Sequence, residues 1–160
     1  MSSRAFNGSA QSDVRNLATS EAAFFADWQV YGVSAAAAAV GGGAGAIIVG
    51  PGTATDLITA ADGGGTNRTL QVPLGNGVSA VATTNAGGVA IAVNTTFTAV
   101  SKHAQGDTYV DTDGDSSAMY VDPVAGSTGT LLVLGTEPAS TAADDFAGVN
   151  GPSGINWTIK

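Results

Sequence analysis

The sequence predicts an α+β fold in which one long N-terminal helix packs on an antiparallel β-sheet. Two observations carry this: a helical period confined to residues 4–31, and short β-favouring runs broken by turn residues after it. From Phe6 to Tyr31 there is no proline and one glycine, Gly8, while Ala10, Val14, Leu17, Ala18, Phe25 and Trp28 recur at three- and four-residue steps. Asp13 lies early, and Gly32 follows the last periodic residue, where a left-handed glycine cap is expected. Beyond it, strands are expected over residues 46–49, 69–72, 78–83, 89–93, 96–102, 117–121, 130–134 and 155–159. Phe97, Ala99 and Ser101 alternate with Thr98, Val100 and Lys102, and Asn94-Thr95 offers a tight turn between 89–93 and 96–102. Connections this short exclude crossover helices, so the sheet is expected to be antiparallel, with the helix covering one face.

The chain has 160 residues, including 29 alanines, 23 glycines and ten aromatics. That length makes one domain, able to bury roughly two-thirds of its unfolded surface without disulfides or a structural metal. A net charge of −8 repels phosphate backbones and anionic lipid, so nucleic-acid partners are not expected. The absence of cysteine removes disulfides, thiolate metal sites and cysteine nucleophiles. His103 is the only histidine, which removes multi-histidine metal sites and leaves one imidazole for any serine triad. No apolar run reaches the length of about 18 residues that spans a bilayer, and Met1-Ser2-Ser3-Arg4 has no signal-peptide h-region. With few lysines and many Thr, Ser, Asn and Gly residues, the composition is that of a secreted surface.

Residues 34–52 are low in complexity, with five alanines followed by Gly41-Gly42-Gly43-Ala44-Gly45-Ala46. Those glycines nominally fit a dinucleotide fingerprint, but the motif needs a helix N-terminus behind it, and Gly50-Pro51-Gly52 follows instead. A connecting loop and a small-residue strand are expected there. No tandem repeat period is present.

The string Ser12-Asp13-Val14-Arg15-Asn16-Leu17-Ala18-Thr19-Ser20-Glu21-Ala22-Ala23-Phe24-Phe25-Ala26-Asp27, closing at Tyr31-Gly32, resembles the solvent-side half of the N-terminal helix of bacterial type IV pilins. Asn7-Gly8-Ser9-Ala10 is similar to the stretch that follows their membrane-embedded half, and Ser101-Lys102-His103, Gly106-Asp107, Tyr109, Asp111 and Asp115-Ser116-Ser117-Ala118-Met119-Tyr120 resemble a strand–turn–strand of the same group. The resemblance implies a ladle-shaped head, with residues 1–32 as the spine and 33–160 as the β-rich part of the same domain. It also implies an extracellular pilus fibre of stacked helices, serving adhesion, motility or extracellular electron transfer. Before assembly the subunit would sit in the inner membrane, and its partners would be other copies of itself and the assembly machinery. The family's apolar, methylated helix start and leader-peptidase site are lacking, as expected of a head separated from its membrane half, with Met1-Ser2-Ser3 as a vector-derived start. The C-terminal cysteine pair of many pilins is lacking too, which leaves closure of that region to something other than a disulfide.

Phe24, Phe25, Trp28 and Tyr31 are read as sheet-facing core rather than as an electron path. Asp107, Asp111, Asp113, Asp115 and Asp122 crowd five of the thirteen acids into one stretch, where Asp-Thr-Asp-Gly-Asp spacing lets a turn aim alternate oxygens at one hard cation. An EF-hand counted from Asp111 places Asp122 twelfth but puts Ser116 where glycine is required, so that motif is rejected. A metal-free acidic turn is expected, with a calcium loop as the alternative: Asp111, Asp113 and Asp115 as ligands, and Asp107 or Asp122 as the fourth. His103 is read as a surface residue at a strand end, for want of a nucleophile elbow.

These readings converge on a structural fibre subunit that is not an enzyme and requires no cofactor. A free calcium-binding or carbohydrate-binding adhesive module is the alternative. Val14, Leu17, Phe25 and Trp28 are expected in the core, and Arg4, Ala5, Gly8, Ser9, Ser12 and Arg15 on the exposed face. Arg4 and Arg15 are the candidate partners for acids of a neighbouring subunit.

Overall fold

A computed structural model describes residues 3–35, 43–51, 56–85 and 93–160. Helix α1 spans Ser3–Trp28. Among the described residues nine strands follow: β1 Val33–Ala35, β2 Ile48–Val49, β3 Leu57–Ala61, β4 Asn67–Gln71, β5 Val78–Thr84, β6 Phe97–His103, β7 Thr108–Asp113, β8 Met119–Pro123 and β9 Thr158–Ile159. All pair antiparallel, in a three-stranded sheet of order β1-β3-β4 and a six-stranded sheet of order β2-β5-β6-β7-β8-β9. The α+β class with a helix on antiparallel sheets is therefore the observed one.

β5 and β6 are buried along their whole length on both faces, which explains their small side chains. One face receives α1: Ala10, Val14, Leu17 and Phe24 pack with Val78, Ala80, Ala82, Phe97, Ala99 and Val110. The opposite face places Val81, Val100, Tyr109 and Tyr120 against Leu132, Phe146 and Trp157 from the C-terminal part of the chain. The alternation along residues 97–102 divides those two cores: Ser101 Oγ donates to the Ala10 carbonyl at 2.7 Å, while Thr98 Oγ1 donates to Pro138 on the other side.

Several expectations are corrected. The helix stops at Trp28, and the left-handed position is held by Gln29, at φ 59°, rather than by Gly32. The Gln29 backbone N–H donates to the Phe25 carbonyl at 2.7 Å. Gly32 answers a different need, since a Cβ there would meet Ile58 Cβ and the Thr59 nitrogen at 2.9 Å. Residues 130–134 form no strand: Leu132 is buried, while Leu131, Val133 and Leu134 face solvent. The expected strand at 89–93 lies outside the described residues except for Val93, which is in a turn, and β6 pairs with β5 instead. β1, β3 and β7 were not anticipated.

Val14 and Leu17 are fully buried, but Phe25 and Trp28 are only half-buried, and Phe24 fills the core in their place. One residue along a helix turns the side chain by about 100°, so adjacent phenylalanines cannot share a face. Trp28 lies under the Arg68 guanidinium, 3.9 Å from the ring centroid, and Arg68 Nε also pairs with Asp62 at 2.9 Å. Arg4, Ala5, Gly8, Ser9, Ser12 and Arg15 are all exposed.

Glu21 sits in the helix face that meets the sheet, with no solvent exposure. Its Oε1 accepts the Gly32 N–H at 2.7 Å, and its Oε2 has no hydrogen-bond partner. Burial pushes its carboxyl well above the usual glutamate range, with the Gly32 bond opposing.

Two outcomes are expected. Phe24→Ala should cost about 3–5 kcal/mol in a urea melt, and Trp28→Ala clearly less, because only the first empties a closed site. An unfolded glutamate titrates near about 4.3. The contribution of Glu21 is thus full below that pH and declines as pH rises toward its higher folded value. The stability difference between Glu21→Gln and wild type should therefore shift in favour of glutamine from pH 5 to pH 8, read as paired melts.

Candidate functional site

The face of the six-stranded sheet opposite α1 is covered by residues 124–157, which form neither helix nor strand apart from an isolated bridge between Asn150 and Asn156. A coil laid on a sheet leaves backbone groups that must find partners. Side chains of the sheet supply them. Ser79 Oγ accepts the Leu132 N–H at 2.9 Å, and Thr98 Oγ1 donates to the carbonyl of Pro138 at 3.0 Å. Asp122 accepts both the N–H and the hydroxyl of Ser153, at 2.7 and 2.5 Å.

Lys102 is the central tie. Its side chain is fully buried, and Nζ donates to the carbonyls of Thr130 at 2.7 Å, Gly106 and Ser127 at 2.9 Å, and His103 at 3.2 Å. Burial pulls its pKa below the usual lysine value, and the Asp107 carboxylate opposes this.

The acids separate into distinct groups. Asp107 lies at the β6–β7 turn, where it accepts from Asn7 Nδ2 at 2.8 Å and Thr108 Oγ1 at 3.0 Å, holding the start of α1. Asp122 is committed to Ser153. Asp111 and Asp113 belong to β7 itself and share its coil-covered face with Tyr109, because alternate residues of a strand point the same way. Asp113 accepts the N–H groups of Asp115 at 2.8 Å and Asp145 at 2.7 Å. Burial raises its pKa to about 6; the two N–H bonds oppose that, and the Asp145 carboxylate adds to it. Asp111 is fully buried, with Oδ1 accepting the Tyr120 N–H at 3.2 Å and Oδ2 without a partner. Burial above all, and then Asp113, Asp144 and Asp122, raise its pKa to about 9.

One carboxylate oxygen from each of Asp113, Asp115 and Asp145 lies within 4.8 Å of the other two. The expected five-acid turn is thus not one site. Asp113 and Asp115 meet, Asp107 and Asp122 are engaged elsewhere, and Asp145 joins from the C-terminal coil. Nothing local in the sequence marks Asp145, which is 32 positions from Asp113. Thr96 and Thr141 hydroxyls donate to Asp115 and Asp145 and hold the rim.

His103 is buried rather than on the surface. Its ring lies 4.4 Å from that of Phe6, and Nδ1 accepts the Gln105 N–H at 3.0 Å. Phe25 stacks on Tyr31 at 4.6 Å, and Phe97 meets Tyr31 tilted at 4.9 Å. Arg4 lines a cavity of about 400 Å³ with Asn7, Gly8, Gln11 and Lys160, and Arg15 is exposed on the outer helix face. Among the described residues no helix is long and apolar enough to cross a membrane. Comparison with family models, with curated proteins and with solved structures finds no match.

Lys102→Met keeps the stem and deletes the ammonium, leaving the Gly106 and Thr130 carbonyls without their donor. A loss of roughly 2–5 kcal/mol is expected in chemical denaturation, with amide exchange rising first at 127–132.

Proposed function

We propose that this chain is the globular head of a structural subunit of an extracellular type IV pilus fibre, with α1 as the spine and other copies of the chain as partners. The reading is of a structural protein without a catalytic role. The observation that carries it is the two-sided helix. Ala10, Val14, Leu17, Glu21 and Phe24 are buried, while Arg4, Ala5, Gly8, Ser9, Ser12 and Arg15 stay exposed over its first half. Small side chains there let a neighbouring helix approach closely, and the two arginines supply cations in a chain with only five basic residues. The pilin-like sequence of the same helix supports the assignment. The buried setting of His103 leaves its imidazole occupied by Phe6 and Gln105, which supports a non-catalytic reading.

Assembly tests it. Arg15→Glu, placed in the full precursor, should reduce pilus number in electron micrographs while the isolated head melts as wild type. Undiminished pili would remove Arg15 from the interface. Coding sequence upstream of residue 3 should contain an apolar run of about 20 residues, enough to cross a membrane as a helix. A hydrophilic continuation would overturn the fibre reading.

A further inference from the structure

We propose that Asn76 is a site of spontaneous self-modification: in the folded protein its side-chain amide is lost through a succinimide formed with the Gly77 nitrogen, leaving aspartate or isoaspartate at position 76. The inference holds whether or not the head assembles into a fibre.

The chain contains three Asn-Gly pairs, at residues 7–8, 76–77 and 150–151. Glycine after asparagine favours this reaction, because no Cβ shields the attacking backbone nitrogen. The fold treats the three pairs differently. Gly8 lies inside α1, where intrahelical bonding takes up its N–H. Asn7 is held as well, with Nδ2 donating to Asp107 and Oδ1 accepting the N–H groups of Asp107 and Thr108. The Gly151 N–H donates to the Ile155 carbonyl at 2.8 Å, and Asn150 forms the bridge to Asn156. Asn76 is exposed, and among the described residues neither its side chain nor the Gly77 N–H has a hydrogen-bond partner.

A turn produces this freedom. The Val78 N–H donates to the Gly75 carbonyl at 3.2 Å, which makes Asn76 and Gly77 the central residues of a β-turn, with Gly77 at φ 83°. That bond joins the outer residues and leaves the central peptide group free to rotate, so the Gly77 nitrogen can turn toward the Asn76 side chain. Packing imposes glycine at 77, because a Cβ there would meet Cε1 and Nε2 of His103 at 2.9 and 3.0 Å.

The reaction needs water alone. The Gly77 nitrogen bonds to the Asn76 side-chain carbonyl carbon, the C–N bond of the amide breaks, and the Gly77 proton leaves with the amide as ammonia. Water then opens the five-membered ring at either carbonyl, giving its hydroxyl to the carbon and its proton to the nitrogen. The product falls on a junction of the fold. The Gly75 N–H donates to Asp13 Oδ2 of α1 at 2.7 Å, and the Gly77 carbonyl accepts the Ala104 N–H at 2.8 Å. Aspartate adds a negative charge beside the Asp13 tie in a chain already at −8, and isoaspartate also lengthens the main chain within the turn.

The experiment is incubation of the purified chain at mildly alkaline pH, folded and in urea, with peptide mapping and isoaspartate detection over time. In the folded protein Asn76 should react at least about tenfold faster than Asn150 or Asn7, because their attacking nitrogens must first give up a hydrogen bond. In urea the three rates should converge. The modified fraction, separated by anion exchange, should melt a few degrees below the unmodified one. Asn76→Ser, at an exposed position without bonds, should remove the new species. Asn76 staying intact in the folded protein overturns the proposal, and so do equal rates at the three pairs or a faster loss at Asn150. An unchanged Tm in the modified fraction overturns the assigned effect on the junction.

Discussion

The constraint that shapes this molecule is that its six-stranded sheet is closed on one side by chain with no ladder of its own. A helix satisfies its backbone internally, so α1 asks the sheet only for an apolar surface. A coil brings peptide groups that no helix or ladder pairs, and burying those without partners would be prohibitive. The sheet therefore carries two different alphabets on its two faces. Toward α1 it shows Val78, Ala80, Ala82, Phe97 and Ala99; toward the coil it interleaves Val81, Val100 and Tyr109 with Ser79, Thr98, Lys102, Asp113 and Asp122. The ammonium of Lys102 is the extreme case. One buried cation answers carbonyls from His103, Gly106, Ser127 and Thr130.

This arrangement concentrates buried titratable groups. Lys102, Asp111 and Glu21 each lie fully out of solvent, and in each the charged form is disfavoured by burial. They differ in how they are compensated. Lys102 is surrounded by acceptors, whereas Glu21 and Asp111 each have one bonded oxygen and one without a partner. The difference separates a group that builds the fold from groups that bias its response to protons.

How much of this was legible in the sequence follows from where each signal lives. The helix was readable because a 3.6-residue period repeats along it, and its buried stripe was placed correctly at Val14 and Leu17. At the C-terminal end of the same helix the sequence places both Phe24 and Phe25 in the core, and only Phe24 is fully buried, because two adjacent aromatics give periodicity no means of choosing between them. β5 and β6 were readable as short β-favouring runs, with alternation only along residues 97–102. β7 was not, because Asp111 and Asp113 look like turn residues, and their burial depends on a coil supplied much later in the chain. The same distance hid Asp145, since spacing arguments see only neighbours. Residues 130–134 erred in the opposite direction: Leu131-Leu132-Val133-Leu134 has strand composition, but only Leu132 reaches the core.

The helix is also tied by polar bonds along its length, which bears on how a fibre of such heads would carry tension. Asn7 Oδ1 accepts the N–H groups of Asp107 and Thr108 at 3.1 and 3.2 Å, Ser101 reaches the Ala10 carbonyl, Asp13 Oδ2 accepts the Gly75 N–H at 2.7 Å, and Glu21 accepts that of Gly32. Apolar packing alone resists separation but permits sliding, because it is non-directional. Directional bonds distributed from Asn7 to Glu21 fix the register of the helix on the sheet. Three of them, from Asn7, Asp13 and Glu21, use side chains of α1 to bind loop backbone next to the strands, so a pull along the spine is distributed over the β6–β7 turn, the approach to β5 and the approach to β1. In the proposed assembly the outer face of the helix is then free to be small and featureless, because the inner face alone holds the head in place.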